Sequence, residues 1–420
     1  MKKQIVGMVL AGGRVDELSV LTAKRPKSAL PVWGMYRIID FALSNMMHAG
    51  IDVVGVLSQY RPYSLITHLK GGEPWDFVGR ARTLRVLSPF LGAHDSDWYK
   101  GTADSLYQNM GFFLRFDPEL VLVASGDHIY SMDYRPMIRQ HLATGAELTI
   151  ALKKVPLERA HQYGTAALDP SGQVLDYREK SMQPAGDLAS LTIYVFNTRT
   201  LVDRLLENAA EGMSHQLYSE IIPRMVKEGS KVFGHVFDGY WQYARTIDSY
   251  YDANMDVVGR DPPDVDRWQV RTNSEPDGMG DLPPVLFGAG AVSQSSYVCP
   301  SAKVFGVVER SVLSPEVTVE RGAVVRDSVI MHGCRVCDGA VVDRVIMDKY
   351  VTVGAGAVVG CGEKVPNLVY PTTLSSGVTV VGRAVSLPPG ISVGRGCIIH
   401  PDLNESNFAG TVVSGTTVTS

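Results

Sequence analysis

The sequence predicts an α/β domain built on a mostly parallel or mixed sheet, followed by a parallel β-helix. Up to about residue 250, short apolar runs alternate with amphipathic stretches. A stretch rich in Pro, Asp and Gly from Asp261 to about Pro284 then interrupts this pattern, and beyond it aliphatic residues recur every six positions. We therefore expect an α/β domain over residues 1–255, a linker over 256–286 and a β-helix over 287–420.

The bulk composition narrows the class of protein before any motif is considered. The chain has 420 residues, 45% of them hydrophobic, and a formal net charge of −4. This length can bury large cores, and the slightly acidic balance argues against nonspecific binding of nucleic acid. Only Met1, Lys2 and Lys3 precede the first apolar run, and this run is too short for the hydrophobic region of a signal peptide. No stretch of apolar residues approaches the length of a membrane-spanning helix. We expect a cytoplasmic protein with no nucleic-acid or membrane partner.

The first part alternates predicted strands with predicted helices, which is typical of a buried, largely parallel sheet. The predicted strands are Ile5–Leu10, Val53–Ser58, Leu120–Ala124, Glu147–Leu152 and Thr192–Asn197. The predicted helices are Ile38–Ala49, Ala103–Phe116 and Met137–Thr144. Gly12-Gly13 and Gly126-Asp127-His128 directly follow such strands, and ligands bind at the carboxyl ends of strands in this architecture. We therefore expect both loops to meet in one cleft.

The loop after the first strand combines features that favour phosphate with features that oppose it. Gly12 and Gly13 can present backbone N–H groups to phosphate oxygens, and Lys27 follows as a cation. Asp16 and Glu17, however, place two negative charges in the same loop. The sequence therefore indicates a nucleotide-phosphate site whose charge balance is unusual.

The six-residue period predicts a β-helix whose rungs stack on one another. The periodic positions are Val319, Val325, Met331 and Cys337; Val317, Ala323 and Val329; Val345, Val351 and Ala357; and Val393 and Ile399. The alternatives are a β-sandwich with accidental spacing and an acyltransferase that uses His332 or His400 as its base. Cys334 and Cys337 form a C-x-x-C without a second pair, so buried reduced thiols are favoured over a metal or redox site.

A set of motifs in a fixed order gives the most specific information. They are Ala11-Gly12-Gly13-Arg14, Arg25-Pro26-Lys27, Tyr36–Asn45, Leu57-Ser58-Gln59-Tyr60, Trp98–Asp104, Gln108-Asn109, Gly126–Tyr130, Glu179-Lys180 and Tyr194-Val195-Phe196. Together with the hexad repeat they resemble the ADP-glucose pyrophosphorylase (glucose-1-phosphate adenylyltransferase) family along the whole chain. The resemblance implies a Rossmann-like nucleotidyltransferase domain and a left-handed β-helix.

The resemblance also implies a reaction: an oxygen of glucose 1-phosphate attacks the α-phosphate of ATP and pyrophosphate leaves, in glycogen or α-glucan biosynthesis. Catalysis of this kind rests on positioning and charge neutralisation. It implies Lys27 and Arg14 as catalytic cations and Asp127 as the Mg²⁺ ligand. It implies nucleotide binding by Ala11, Gly12, Gly13, Gln59, Gly101 and Thr102. It implies sugar-phosphate binding by Tyr99, Gly164, Glu179, Lys180 and Ser190, and binding of a phosphorylated-metabolite effector by Lys24 and Arg25.

The chain departs from the family pattern at functional positions. The family loop GGRGTRL carries a Gly and an Arg where this chain has Val15 and Glu17. Like charges 4 Å apart repel by roughly 4 kcal/mol even at an effective dielectric near 20. Tyr243 replaces a second metal-binding Asp, which weakens the expected Mg²⁺ site. Smaller departures are Ser181, Thr192 and Ser219.

These departures leave three hypotheses open. The first is an active glucose-1-phosphate adenylyltransferase that acts on ATP and glucose 1-phosphate as a homotetramer. The second is a non-catalytic regulatory subunit that binds effector or nucleotide and assembles with a catalytic paralogue as a heterotetramer. The third is a related nucleotidyltransferase with another base or sugar. The replacements at Glu17 and Tyr243 favour the second, and the retained Lys27, Asp127, Glu179 and Lys180 favour the first.

Overall fold

The computed structural model describes residues 4–13, 15–89, 98–210, 213–274 and 282–419. Arg14, predicted as a catalytic cation, lies outside these described residues. The chain divides into two compact units. The first unit comprises Met1–Gly13, Ile39–Pro62 and Leu69–Trp241, and the second unit comprises Arg14–Ile38, Tyr63–His68 and Gln242–Ser420. The segment that carries Lys27 is therefore part of the second unit, together with the β-helix.

The first unit contains a mixed nine-stranded sheet. Along the sheet the strands run Val174–Glu179, Gly164–Leu168, Leu188–Asn197, Leu120–Ser125, Ile5–Leu10, Val53–Leu57 and Thr83–Leu87. Two further strands, Leu148–Lys154 and Val232–Val236, pair with each other, and the former also pairs with Leu188–Asn197. The strands around Ile5–Leu10 are parallel, whereas Leu188–Asn197 runs antiparallel to its neighbours. The predicted mixed sheet is confirmed, and all five predicted strands are present.

The α-helices include the three predicted regions, one of them divided, and others that were not predicted. They are Ile38–Ala49, Tyr63–Leu69, Thr102–Gln108, Met110–Leu114, Tyr134–Thr144, Leu157–Ala160, Thr198–Asn208, Ile222–Lys227, Ile247–Met255 and Val265–Trp268. The single helix predicted over Ala103–Phe116 is wrong, because the chain breaks at Asn109. There the side-chain amide donates to the Ser105 carbonyl (2.9 Å) and to the Tyr99 hydroxyl (3.0 Å). An Asn side chain that bonds in this way favours a helix end over a helix interior. Among the described residues, no helix has both the length and the apolarity that crossing a bilayer requires.

The second unit contains a parallel β-helix with three sheets of short strands. One sheet consists of Leu286–Phe287, Lys303–Val304, Thr318–Val319, Arg335–Val336, Thr352–Val353 and Ser386–Leu387. The next consists of Val292–Gln294, Val307–Glu309, Val324–Arg326, Val341–Asp343, Val358–Cys361 and Ser392–Gly394. The third consists of Tyr297–Val298, Val312–Leu313, Val329–Ile330, Val345–Met347, Thr379–Val381, Ile398–Ile399 and Thr417–Val418.

Each six-residue repeat forms one of the three faces of a rung of the β-helix. Val319, Val325 and Met331 are buried as predicted, but Cys337 is only half-buried and Cys334 lies in the core instead. The Cys334 thiol donates to the Asp348 carbonyl at 3.0 Å, and burial raises its pKa above the usual range. All five cysteines are free thiols. Since Cys334 and Cys337 differ in this way, the C-x-x-C spacing reflects a turn of the β-helix.

Candidate active site

The glycine loop of the first unit is fixed on one side and open on the other. The Ala11 N–H donates to the Leu57 carbonyl at 2.9 Å, and the Tyr60 N–H donates to the Gly12 carbonyl at 3.2 Å. A Cβ on Gly12 would lie 3.3 Å from the Gln59 backbone nitrogen, whereas a Cβ on Gly13 would meet no atom of the described residues within 4 Å. Gly12 is therefore needed for close packing, and Gly13 presents its backbone to open space, as a phosphate-binding loop requires.

Gln59 and Tyr99 contact each other in the first unit. The Gln59 Oε1 atom accepts a hydrogen bond from the Tyr99 N–H. The Tyr99 hydroxyl donates to the Leu87 carbonyl at 3.0 Å, and burial raises the pKa of Tyr99 to about 12. Tyr99, predicted to bind the sugar phosphate, thus lies beside the predicted nucleotide residue Gln59 and orients its side chain.

The segment around Gln216 forms hydrogen bonds with the first residue of the helix Thr102–Gln108. The N–H and hydroxyl of Thr102 donate to Gln216 Oε1 at 3.2 and 3.1 Å, and the Leu217 N–H donates to the Thr102 hydroxyl at 2.9 Å. A Cβ on Gly101 would lie 2.2 Å from the His215 carbonyl oxygen, so only glycine fits there. Gln216 was missed as a site residue by the sequence reasoning, which considered only Ser219 in this segment.

Asp127 follows the strand Leu120–Ser125, and its carboxylate has polar neighbours on both sides of the sequence. The Ser125 hydroxyl donates to its carboxylate. Trp241 Nε1 donates to His128 Nδ1 at 3.2 Å, which leaves the ring proton on His128 Nε2, 3.3 Å from Asp127 Oδ1. The N–H of the His128 ring therefore lies on the side of the Asp127 carboxylate. His128 and Trp241 were not predicted as site residues, and their role depends on contacts that sequence spacing does not show.

The chemistry around Asp127 fits a magnesium ion that arrives with a nucleotide. Mg²⁺ is commonly held by one or two carboxylates, with phosphate oxygens and water completing its shell. Within the described ranges, no cluster of three or more His, Cys, Asp or Glu residues could hold a metal by itself. Asp127 can thus supply one ligand, and the remaining ligands would come from substrate and water.

Glu179 ends the strand Val174–Glu179 and lies in a cluster of buried phenols. The Tyr177 hydroxyl donates to Glu179 Oε2 at 3.2 Å. Burial, with the Glu179 charge as a smaller cause, raises the pKa values of Tyr177 and Tyr194 above the usual range, so both hydroxyls stay protonated donors. A Cβ on Gly164 would lie 2.2 Å from the Tyr177 hydroxyl and 2.4 Å from Glu179 Oε2. The absence of a side chain at Gly164 therefore leaves room for this pair.

Ser190 and Lys180 lie in the same part of the first unit. The Ser190 hydroxyl is 3.4 Å from the Tyr194 hydroxyl, next to a register shift in the strand Leu188–Asn197. Within that shift Thr192 has a φ of 53°, a conformation that favours the Gly expected there. Lys180 Nζ lies 3.7 Å from Glu179 Oε1 and 5.6 Å from the centroid of the Tyr218 ring. The structure thus brings together Gly164, Glu179, Lys180 and Ser190, four of the five predicted sugar-phosphate residues.

In the second unit, Tyr243 and Glu17, the two predicted departures from the family pattern, each contact a cationic side chain. The Lys27 side chain is buried, with the residue 2% exposed, and its Nζ lies 4.0 Å from the centroid of the Tyr243 ring. Arg245 donates to Glu17 Oε1 from Nη2 at 3.0 Å and from Nε at 3.2 Å. Val15 has a φ of −126°, so this position does not need the glycine of the family loop. Tyr243 and Arg245 are therefore structural partners of the predicted phosphate loop.

Lys24 and Arg25, the predicted effector residues, both pair with carboxylates of the β-helix in the second unit. Arg25 bonds to Asp348, and the two side chains are only 6% and 2% exposed. Lys24 bonds to Asp402 at the surface, where both side chains are about half exposed. The two cations therefore differ in accessibility: Arg25 is part of a buried ion pair and Lys24 is open to solvent.

Comparison with known proteins agrees with this architecture. Residues 6–259 match the family described as nucleotidyl transferase, and residues 288–381 match the family described as GlmU-like, C-terminal hexapeptide. The latter match supports a left-handed form of the β-helix. Glucose-1-phosphate adenylyltransferase of Thermomicrobium roseum is 42% identical over 98% of this chain and 96% of its own length. Relatives of the same name from Acetivibrio thermocellus and Thermotoga neapolitana are 35% and 38% identical, over 97% and 96% of this chain and 95% and 96% of their own lengths.

Proposed function

The chain belongs to the glucose-1-phosphate adenylyltransferase family of nucleotidyl transferases, and we propose that it makes ADP-glucose from ATP and glucose 1-phosphate. The observation that carries this proposal is the match to the Thermomicrobium roseum enzyme along almost the whole of both chains. A match of this extent includes both the nucleotidyltransferase part and the β-helix, so it concerns the whole protein and not one shared domain.

In this reaction a phosphate oxygen of glucose 1-phosphate attacks the α-phosphorus of ATP. A new P–O bond forms there, the bond to the bridging oxygen of the β-phosphate breaks, and that oxygen leaves with pyrophosphate. The protein contributes mainly by aligning the two anions and by neutralising their charge. Lys27 supplies a cation for the phosphates, and Gly12 and Gly13 supply backbone N–H groups. The predicted role of Arg14 rests on the motif alone.

The Glu179 cluster suits the sugar. Glu179 can accept hydrogen bonds from glucose hydroxyls while Tyr177 holds its other oxygen, and Lys180 can pair with the sugar phosphate. Gly164 leaves the carboxylate accessible at close range. Gln59, oriented by Tyr99, offers its amide to the adenine ring.

Asp127 would hold Mg²⁺ when the nucleotide is bound. Bound Mg²⁺ neutralises phosphate charge and polarises the phosphoryl oxygens. In the protein, the Ser125 hydroxyl donates to the Asp127 carboxylate and His128 Nε2 lies 3.3 Å from it, and both contacts favour one orientation of the carboxylate. The resemblance implies a second metal-binding carboxylate at the position where this chain has Tyr243.

Two observations favour an active enzyme over a regulatory subunit. Relatives that match along their full length carry the name of the enzyme. In addition, the Glu17 charge, which is the strongest argument against catalysis, is paired with Arg245 at 3.0 Å. The guanidinium offsets the negative charge that would otherwise repel the phosphates.

The test is ADP-glucose formation by the purified chain alone, with ATP, glucose 1-phosphate and Mg²⁺. We expect turnover that EDTA abolishes and that Asp127→Asn lowers at least a hundredfold, because the amide cannot replace the carboxylate charge. Asp133→Asn, at the N-terminus of the helix Tyr134–Thr144, is the matched control and should keep activity. An inactive chain that still binds ATP would favour the regulatory subunit. Faster turnover with another nucleotide or sugar phosphate would favour the third hypothesis.

Regulation, assembly and location remain proposals. Lys24 is accessible to a phosphorylated metabolite, which would have to displace Asp402 from it. Arg25, paired with Asp348 in the interior, would attract the effector phosphate without direct contact. We also propose a tetramer and a cytoplasmic location. Size-exclusion chromatography with light scattering, and turnover measured with phosphorylated metabolites, test the first two.

A further inference from the structure

Tyr243 lies directly against the side chain of Lys27 in the second unit. The Lys27 ammonium is 4.0 Å from the ring centroid, which is well inside the range of a cation–π contact. Lys27 is buried, and such contacts are strongest where water is excluded. Tyr243 itself follows the short strand Trp241–Gln242, and its neighbour Arg245 pairs with Glu17. Both ends of this short segment therefore contact the loop that follows Gly13.

A carboxylate and an aromatic ring at position 243 would act differently on Lys27. A carboxylate there would pair with Lys27 or bind a metal, and it would add a negative charge near the phosphates. An aromatic ring attracts the ammonium through its quadrupole and adds no net charge. A lysine side chain has four rotatable methylene units, so a fixed face restricts where its charge can lie.

We propose that Tyr243 is a positioning residue for the reaction, and that its ring fixes the Lys27 ammonium without adding negative charge. This inference rests on the proposed function for its role in catalysis. Where the resemblance implies a metal-binding carboxylate, this chain therefore has an aromatic ring that contacts the phosphate-binding Lys27. Arg245 completes the exchange, since it offsets the charge of Glu17 in the same loop.

The experiment compares Tyr243→Phe, Tyr243→Leu and Tyr243→Asp in the full chain. Tyr243→Phe keeps the ring face and should keep kcat within about twofold. Tyr243→Leu removes the ring and should lower kcat about tenfold, with the KM for ATP changed less than threefold, because misplacement of a charge acts mainly on the transition state. Tyr243→Asp should also lower kcat, because its carboxylate would pair with Lys27.

Phe237→Leu is the matched control. The Phe237 ring contacts the Lys153 ammonium at 5.6 Å, outside the proposed site, so loss of a cation–π contact alone should leave kcat unchanged. Coupling provides a second measurement: in a Lys27→Met background, Tyr243→Leu should have no further effect. Equal kcat for Tyr243→Leu and the unmodified chain, or a higher kcat for Tyr243→Asp, would overturn the proposal.

Failure of the proposed function can be told apart from failure of this inference. If the unmodified chain makes no ADP-glucose, calorimetric titration with ATP still reports on Lys27. In that case Tyr243→Leu should weaken ATP binding about twofold, Tyr243→Phe should bind ATP as the unmodified chain does, and Lys27→Met should remove the difference. Identical ATP affinities for the Leu and Phe variants would then refute the positioning role, whatever the reaction.

Discussion

The guanidinium of Arg245 lies against the carboxylate of Glu17, with Nη2 and Nε 3.0 and 3.2 Å from the same Oε1 atom. The two residues are 228 positions apart in the chain. Both side chains are more than a third exposed, so the pair adds only about 0.2–1 kcal/mol to stability. The pair matters because Arg245 neutralises the negative charge of Glu17 in the predicted phosphate loop.

Removal of this counterion should affect catalysis more than stability. We expect Arg245→Ala to lower kcat/KM for ATP about tenfold, because the unpaired Glu17 would then repel the phosphates. Glu17→Gln in the same chain as Arg245→Ala should recover most of the loss. Steady-state kinetics of the single and double variants measure this. Arg224→Ala, which breaks the exposed pair with Glu228 at 2.8 Å, is the control. A double variant as poor as Arg245→Ala would contradict the prediction.

The hydroxyl of Tyr177 should matter for the sugar phosphate. Tyr177→Phe removes the hydrogen bond to Glu179 at 3.2 Å while it keeps the buried ring. Since a hydrogen bond to a charged group is worth about 1.5–3 kcal/mol, we expect the KM for glucose 1-phosphate to rise about tenfold. The KM for ATP should stay within twofold. Tyr134→Phe removes another buried hydroxyl, bonded to Tyr130, and should leave both KM values unchanged.

Gly164 should not tolerate even one methyl group. In Gly164→Ala the new Cβ would overlap the Tyr177 hydroxyl and the Glu179 carboxylate, at 2.2 and 2.4 Å. Overpacking of this kind costs about 1–3 kcal/mol, and here it would also displace Glu179. We expect a lower melting temperature and a large rise in the KM for glucose 1-phosphate. Gly111→Ala, where a Cβ would meet nothing within 4 Å, should keep both. Normal sugar-phosphate kinetics in Gly164→Ala would show that the cluster does not bind sugar.

The two basic residues predicted at the effector site should differ in their effect on stability. Arg25→Ala leaves the buried Asp348 without its arginine, and breaking a buried ion pair costs about 3–5 kcal/mol. Lys24→Ala breaks a surface pair and should cost less than about 1 kcal/mol. Denaturant unfolding monitored by circular dichroism compares the two. Similar losses of stability in both variants would show that the burial of the Arg25 pair has no energetic consequence.

The strand and helix pattern was largely readable from the sequence. Apolar runs such as Ile5–Leu10 are long enough to identify buried strands, and the helix Ile38–Ala49 has the predicted bounds. The strands Gly164–Leu168 and Val174–Glu179 were missed, because the first is short and begins with a glycine, and exposed positions interrupt the apolar run of the second. Both Cys334 and Cys337 were predicted as buried thiols, but only Cys334 is buried, because the six-residue period does not say which residue of a corner turns inward.

The sequence by itself determined the family and the two-part fold, and it predicted the candidate site residues, because motifs and periodicity are local properties of the chain. It also predicted that Glu17 and Tyr243 depart from the family pattern, but it could not say with what consequence. Only the tertiary structure decided that Arg245 pairs with Glu17 and that Tyr243 lies against Lys27. Both contacts join segments more than two hundred residues apart, and such partners are chosen by the folded backbone and not by spacing along the sequence.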